Sequence, residues 1–419
     1  EDATNQGLLV SKAQSFLERA QAVYNGLSEY QDNINSQIKD NIDKINDYGN
    51  KIWELNQKIV AIETGGIERA NDLRDARDQL IDELGGMARI SYDEDYHGIV
   101  TVQIEGVDFV TQDYVNEMGY MRGDEYNEYF ADDIDDGLRR PVEDSFYVPV
   151  WPRYKNQEVF STTEDISSDK NTDIGALKAL YNTRGNKRAT YKDLYDVGEK
   201  YQVGSKIVTI DSEAESINTF DSTTKRSSMM TVMAEFDNLV RGIVTGINSV
   251  LSSNSSPDGA PGDTLLFSKI TQDVTDGTDG WTTSNLMINP TVQKTPTSMN
   301  NGFLLADGSR DQQKADALVN LFSNKFDSLN PDTGTPLTFA GYYSALVSEN
   351  ATNGKVYQSI SVNQEAMVMS IDSQRQEVVG VSDSDELTQM IRYQNAYNAS
   401  SRYINTINSM LDTLINSMT

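Results

Sequence analysis

The groups with the most chemistry to offer are carboxylates. The 419-residue chain carries 64 Asp and Glu against 35 Lys and Arg, a net charge of −29. Two runs concentrate them, Asp132-Asp-Ile-Asp-Asp136 and Asp273-Val-Thr-Asp-Gly-Thr-Asp-Gly280. Such runs supply the oxygens that calcium prefers, yet neither has the EF-hand register with its closing glutamate. In so acidic a chain they read as solvated surface. The two carboxylates of a glycosidase need not be neighbours in sequence, and nothing singles out a pair among the 64. Cysteine is absent and His97 is the one histidine, which removes thiolate chemistry, disulfides, most zinc sites and His-based triads. His97 stands before Gly98 at the mouth of a hairpin and reads as a turn residue. There is no phosphate-binding glycine loop, nucleophile elbow or metalloprotease helix. No catalytic, cofactor-binding or metal residue is assigned. The negative charge argues against nucleic acid and anionic membrane as partners. No apolar run reaches 18 residues, and Glu1-Asp-Ala-Thr-Asn lacks the basic and apolar parts of a cleavable signal peptide.

What remains is chemistry done by packing, and the sequence is rich in elements suited to it. Residues 9–62 form a helical pattern without proline. Apolar or small residues recur at Leu9, Ala13, Phe16, Ala20, Val23, Leu27, Tyr30 and Ile34, then one residue out of phase at Ile38, Ile42, Ile45, Tyr48, Ile52, Leu55, Ile59 and Ile62. A helix this long must lie against others, because propensity alone does not hold it. Gly26 and Gly49 are candidate bends. A second helix follows Gly65-Gly66, with Leu73, Leu80, Ile81 and Leu84 packing and Arg74, Asp75, Arg77 and Asp78 in surface ion pairs. After Gly85-Gly86 the period changes to alternation: Val100, Val102 and Ile104, a turn at Gly106, then Val107, Phe109 and Val110 make a hairpin. Further on, the pattern predicts a short strand at Ile207-Val-Thr-Ile210 and a helix over 223–252 with Met229, Val232, Phe236, Leu239, Ile243, Ile247 and Val250 on one stripe. A strand at Leu286-Met-Ile-Asn-Pro290 and a helix over 311–326 packing Ala315, Leu318, Val319 and Phe322 come next. A last helical section opens at Phe339.

The C-terminal stretch, residues 387–419, carries the densest signal. Met390, Tyr397, Ile404, Leu411 and Met418 form one heptad row, and Tyr393, Ser400, Ile407 and Leu414 a second. This spacing marks a helix packing against partner helices, a rod about 50 Å long. Asp383 and Glu386 ahead of Leu387 resemble a capping box. Arg392, Arg402 and Asp412 are its only charges, whereas a solvated coiled coil carries Glu and Lys. A polar but nearly uncharged surface suits a helix crowded among copies of itself. The candidate partner-binding seam is Leu387, Met390, Tyr393, Tyr397, Ile404, Ile407, Leu411, Leu414 and Met418.

Several runs resemble a known family. Val381-Ser-Asp-Ser-Asp-Glu-Leu387, Tyr393-Gln-Asn-Ala-Tyr397-Asn-Ala399 and Met410-Leu-Asp-Thr-Leu-Ile415 are similar to the C-terminal signature of bacterial flagellar axial proteins, shared by rod, hook and hook-associated proteins. Glu54-Leu-Asn-Gln-Lys-Ile59, the Gly65-Gly66 turn and Ala70-Asn-Asp-Leu-Arg-Asp-Ala-Arg-Asp-Gln-Leu-Ile-Asp-Glu-Leu84 more specifically resemble the hook-associated protein 1 family, the first hook-filament junction proteins. Thr172-Asp-Ile-Gly-Ala-Leu-Lys-Ala-Leu-Tyr-Asn-Thr-Arg184 and Arg375-Gln-Glu-Val-Val-Gly-Val381 fit it too. The family's N-terminal helix, with its Asn/Ala-rich start, is absent, so the sequence is expected to be a fragment whose terminal rod lacks its intramolecular partner.

The expected fold is α+β and multidomain: an elongated helical-bundle domain built from N- and C-terminal segments, with inserted β-rich domains and a C-terminal coiled-coil helix. Its expected divisions are residues 1–86, the first part of the helical core; 87–170, a β-rich insertion; 171–252, a return to the helical domain with a β excursion over 186–222; 253–338, a mixed segment; 339–382, the last part of the core; and 383–419, the assembly helix. The resemblance implies a non-enzymatic adaptor at the hook-filament junction, located on the extracellular flagellum and exported without cleavage. It also implies as partners hook protein, the second junction protein, copies of itself in a tubular layer, and a cytosolic export chaperone on the C-terminal helix. Another axial protein, or a secreted enzyme with a catalytic insertion, is the alternative.

Overall fold

The computed structural model describes residues 3–64, 69–160, 172–203, 206–272, 278–299, 311–379, 390–392 and 394. The chain divides into two compact units, residues 1–348 and 349–419. The architecture is α+β.

The first unit is organised on one helix, α1 (Ala3–Glu63), which runs unbroken through Gly26 and Gly49. Its two halves serve different cores. Val10, Ala13, Leu17, Ala20 and Tyr24 pack with helix α7 (Ser228–Leu251) and with Leu265, Trp281, Leu286, Phe339 and Tyr342. Ile34, Ile38, Ile42, Ile45, Tyr48 and Ile52 pack with helix α2 (Asn71–Met87) and with the sheet of β1 (Ile90–Glu94), β2 (Val100–Ile104) and β3 (Val107–Val110). In the N-terminal half Ala13, Ala20 and Ile34 are buried as the apolarity reading has them, but the positions between them are displaced by one residue. Val23 and Tyr30 are exposed while Leu17 and Tyr24 are buried, and the stripe passes through Gln31 there and through Asn56 in the C-terminal half, both wholly buried. A reading that counts only apolar residues steps around such positions.

The three strands form an antiparallel meander in chain order. Ile104 pairs with Val107, so Glu105 and Gly106 alone make the turn, with φ of 50° and 80°. Two positive φ values in a two-residue loop match the twist of the flanking strands. Glu105 is held in this left-handed conformation by Arg89, whose Nη2 is 3.0 Å from Oε2. A second antiparallel meander joins β4 (Gly119–Arg122), β5 (Tyr147–Trp151) and β6 (Gln157–Glu158). Between its first two strands lie two short helices, α3 (Gly123–Tyr129) and α4 (Ala131–Asp135), where sequence patterning shows no helical period. Helix α5 (Ala176–Arg184), the hairpin β7 (Lys200–Val203) and β8 (Lys206–Thr209), and helix α6 (Glu213–Ser222) lead into α7. Then come the antiparallel pair β9 (Phe267–Lys269) and β10 (Leu286–Ile288), helix α8 (Pro290–Lys294) and helix α9 (Gln312–Ser323). Asp311 caps α9 as an Asx N-cap, accepting from the amides of Gln313 and Lys314. Leu318 and Leu321 face the core, and Val319 is 69% exposed, contrary to the predicted packing. Helix α10 (Phe339–Val379) starts on the first core through Phe339, Tyr342 and Leu346.

Strands and loops are fastened to helices by a repeated device. Asn46 of α1 donates its Nδ2 to the carbonyl of Met118 (2.8 Å), and its Oδ1 accepts the Met118 amide (2.9 Å). Asn56 does the same to Val100 (2.7 and 3.1 Å), Asn127 to Val142 (2.7 and 2.9 Å), and Asn248 of α7 to Phe267 (3.0 and 3.1 Å). Each side-chain amide stands in for a neighbouring strand, satisfying both backbone groups of one residue where no strand is available. Asn46→Ala should therefore leave the buried Met118 amide and carbonyl without partners and destabilise the unit by about 1–2 kcal/mol. Denaturant titration, with amide exchange at Met118, measures this. Unchanged protection of that amide would show that the clamp contributes nothing.

Candidate functional site

The acidic runs, read from the sequence as solvated surface, take part in the fold where they are described. Asp132-Asp-Ile-Asp-Asp136 coincides with α4 rather than a cation loop: Ile134 is buried and Asp133 pairs with Arg139 at 2.9 Å. The run Asp273–Gly280 lies largely outside the described residues; within it Asp279 pairs with Arg241 at 2.9 Å. His97 occupies a turn closed by Asp95, whose Oδ1 accepts the amides of His97 (2.9 Å) and Ile99 (2.8 Å), and Gly98 beside it has φ of 83°.

Helix α7 carries buried acids, and each is engaged in holding the chain together. Asp237 is fully buried; its two oxygens accept the amides of Tyr191 (3.0 Å) and Thr283 (2.7 Å), tying two loops to the helix. Burial pushes its carboxyl up to about 6, against the pull of those two amides. Glu235 accepts from Asn330 Nδ2 at 2.8 Å, and Asn238 donates to Asp327 at 2.9 Å, which pins residues 327–330 beneath Tyr342. Asp196 is raised to about 6 by burial first and then by Asp327 and Glu199. Asp237 and Glu235, tied to backbone and side-chain amides in this way, act as fasteners.

The Asn71–Leu84 block differs from the sequence expectation. Arg77, predicted as a surface ion-pairing residue, is 1% exposed. Its Nη1 donates to Asn56 Oδ1 (3.2 Å) and to the Gly98 carbonyl (2.7 Å), and its Nη2 to Glu94 (3.3 Å). Arg74 is also mostly covered and is forked onto Glu63 at 2.6 and 2.8 Å, with Glu94 as a third contact. Those bonds hold the Glu63 carboxyl at about 2, well below the usual range. The block is thus the keystone between α1, α2 and the β1–β2 loop. Its order of charges reflects a buried network, because a guanidinium can be buried when several acceptors surround it. Arg184, at the end of α5, is a second case. It is wholly buried, with Nη1 donating to Asn35 Oδ1 (2.6 Å) and the Tyr147 carbonyl (2.8 Å), and with its plane 4.5 Å from the Phe146 ring centroid. Burial lowers its pKa to about 10.

Of the predicted seam, Met390 lies among the described residues. It is in a helical segment and 58% exposed. Leu387, Tyr393, Tyr397, Ile404, Ile407, Leu411, Leu414 and Met418 lie outside the described residues. Ahead of the seam, α10 shows a surface that the sequence reading did not single out. From residue 350 to 374 every position is exposed, including Val356, Tyr357, Ile360, Val362, Met367, Val368, Met369 and Ile371. At 100° per residue Val356, Met367, Ile360, Ile371, Tyr357 and Val368 fall within one arc of about 120°, with Met369 and Val362 on the far side. An apolar stripe of that width on a helix is ordinarily packed against a neighbour. Among the described residues none of the helices is long and apolar enough to cross a membrane.

Comparison with known proteins gives a consistent picture. A family model described as the flagellar hook-associated protein FlgK helical domain matches residues 1–142, and one described as the flagellar basal body rod FlgEFG protein C-terminal matches residues 372–418. Flagellar hook-associated protein 1 of Bacillus subtilis (strain 168) is 22% identical over 415 residues, covering 99% of this chain and 71% of that protein. The protein of that name from Escherichia coli (strain K12) is 22% identical over 445 residues, covering 99% of this chain and 77% of that protein. A solved structure of the flagellar hook junction protein FlgK from Burkholderia pseudomallei aligns with 64% of this chain and 37% of its own, at 14% identity and a TM-score of 0.37.

Proposed function

We propose that this chain, which belongs to the flagellar hook-associated protein 1 family, is a structural component of the bacterial flagellum that works at the junction between hook and filament by subunit packing. The observation that carries this reading is the FlgK helical-domain match over residues 1–142, which falls on α1, α2 and the sheets that the asparagine clamps and Arg77 lock to them. No bond is made or broken in this role. Rigidity is what it asks of the first unit, and the fastened acids, amides and guanidiniums supply it.

The second unit supplies the adhesive surface in this reading. The apolar positions of α10 and the heptad rows of residues 387–419 bury against neighbouring subunits in a tubular layer. Different surfaces would meet hook protein and the second junction protein, a heterologous arrangement in which contacts are not self-complementary. Before export a cytosolic chaperone covers the C-terminal helix, and the protein reaches the outside of the cell without a cleaved signal peptide. The division of the chain at residues 86, 170, 252, 338 and 382 belongs to the same reading. Its test is direct. With Ile404, Ile407 and Leu411 replaced by aspartate, filament attachment in a strain complemented by the variant should be abolished, while circular dichroism and melting of the first unit stay as in the parent. Three carboxylates in an apolar seam cannot be desolvated without partners. Filaments that still attach would remove the seam from the mechanism.

A further inference from the structure

We propose that two copies of this chain pair through helix α10, antiparallel and about a two-fold axis that lies between Asn363 and Gln364. The pair is a state of the free chain and does not depend on a place at the hook-filament junction. It would have to open before the stripe could enter a tubular layer.

The observation that carries the pair is a repeat of eleven residues. Val356 returns as Met367, Tyr357 as Val368 and Ile360 as Ile371, while Asn353 returns as Gln364 and Asn363 as Gln374. All ten positions are exposed in the helix. Eleven residues in three turns is about 3.67 per turn, close to the helix's own 3.6, so the stripe runs nearly straight along α10. Apolar and amide layers therefore alternate down one face. Lys355, Glu365 and Asp372 are the only charged residues between positions 350 and 374, and at 100° per residue all three fall outside the arc of the stripe.

This pattern is complementary to itself. In an antiparallel pair centred between Asn363 and Gln364, Ile360 faces Met367 and Val356 faces Ile371, while Asn363 faces Gln364 and Asn353 faces Gln374. Every apolar layer meets an apolar layer, and every amide meets a second amide that can donate and accept in return. The two bulky flanking residues face small ones, Tyr357 opposite Ser370 and Val368 opposite Ser359. Slipping the pair by one turn sets Gln364 against Met367 and Asn363 against Val368. Amides buried without partners are costly, so the polar layers fix the register. The matched segment, residues 353–374, is about 32 Å long. A parallel pair matches the same layers, but it aligns the two helix dipoles and gathers residues 1–348 of both copies at one end, on chains that each carry a net charge of −29. The antiparallel contact is isologous and closes at two copies.

Sedimentation equilibrium of the whole chain should show a reversible equilibrium between monomer and dimer. Ile360→Asp puts a carboxylate into the layer that faces Met367, in both copies, and should weaken the dimer about a hundredfold or more. Val362→Asp makes the same change on the far side of the same helix and should leave the dimer as it is. Both positions are exposed in the single chain, so neither change disturbs the fold, which circular dichroism verifies. Cross-linking reads the orientation, since the chain has no cysteine of its own. In the antiparallel pair the two copies of Val356 are as far apart along the axis as Val356 and Ile371, about 22 Å and beyond the reach of a disulfide. Val356→Cys mixed with Ile371→Cys should therefore give the mixed disulfide dimer on mild oxidation, and Val356→Cys alone should not. A chain that stays monomeric, its stripe kept for a different partner, overturns the proposal. So does a dimer that survives Ile360→Asp, or one in which Val356→Cys links readily to itself.

Discussion

Arg77→Ala is expected to destabilise the first unit by about 3 kcal/mol. Alanine strips the Gly98 carbonyl of a 2.7 Å donor and leaves a void where one of the largest wholly buried side chains of the protein stood. An unpaired buried carbonyl costs about 1–3 kcal/mol and a cavity of that size adds a similar amount. The larger penalty that follows when a buried charge is abandoned does not apply in full. Glu94 is 38% exposed on its side chain and keeps Arg74 as a partner, and Asn56 Oδ1 keeps the amide of Val100. Arg77→Lys should recover little, because one ammonium cannot span Asn56, Gly98 and Glu94 at once. Denaturant titration of the two variants, with Arg69→Ala as an exposed control, measures the difference. A loss under about 0.5 kcal/mol for Arg77→Ala, the ordinary range for a surface change, would mean that the block is held by its leucines alone.

The elements that could be read from the sequence were those whose signal is local and apolar. The 3.6-residue period announced α1, α7 and α9, strict alternation announced β2 and β3, and the resemblance in the Asn71–Leu84 and C-terminal runs pointed to the family. The clamps were invisible for a physical reason. Burying a polar side chain is favourable only if its partner is known, and the partners are far along the chain: Asn46 with Met118, Gln31 with the Arg184 carbonyl, Arg184 with Asn35. The same blindness put Arg77 on the surface and shifted the buried stripe of α1 around Gln31 and Asn56. The α4 helix was missed because an acidic run has almost no apolar period to show, and one buried isoleucine decides it. The abundance of Asn and Gln on the inner face of α1 was the usable clue, since a solvated helix of that length would favour Glu and Lys. For the assembly seam the sequence remains the principal witness, through its heptad rows and missing charges.

Two glycines of α1 should respond in opposite directions to the same change. Alanine ordinarily stabilises a helix interior by about 1 kcal/mol relative to glycine. Gly26 is exposed and an added Cβ meets nothing within 4 Å, so Gly26→Ala should stabilise by roughly that amount. Gly49 is buried, and its Cβ would lie 2.4 Å from Phe109 Cζ, 2.7 Å from Cε1 and 3.2 Å from Val115 Cγ1. Phe109 has no solvent to retreat into: it is fully buried, with the Trp151 ring centroid 6.4 Å away. The ring or the strand must move, which costs about 1–3 kcal/mol and outweighs the gain in helix propensity. Gly49→Ala should therefore lower the unfolding free energy by about 1 kcal/mol, and not because a bend is lost, since the helix is continuous there. The double variant Gly49→Ala with Phe109→Leu isolates the cause. If the clash is the reason, the two changes together cost less than their sum by about 1 kcal/mol or more, because the smaller side chain vacates the space that the methyl group needs. Strict additivity would place the strain elsewhere, and stabilisation by Gly49→Ala would mean that β3 does not approach α1 as closely as Phe109 requires.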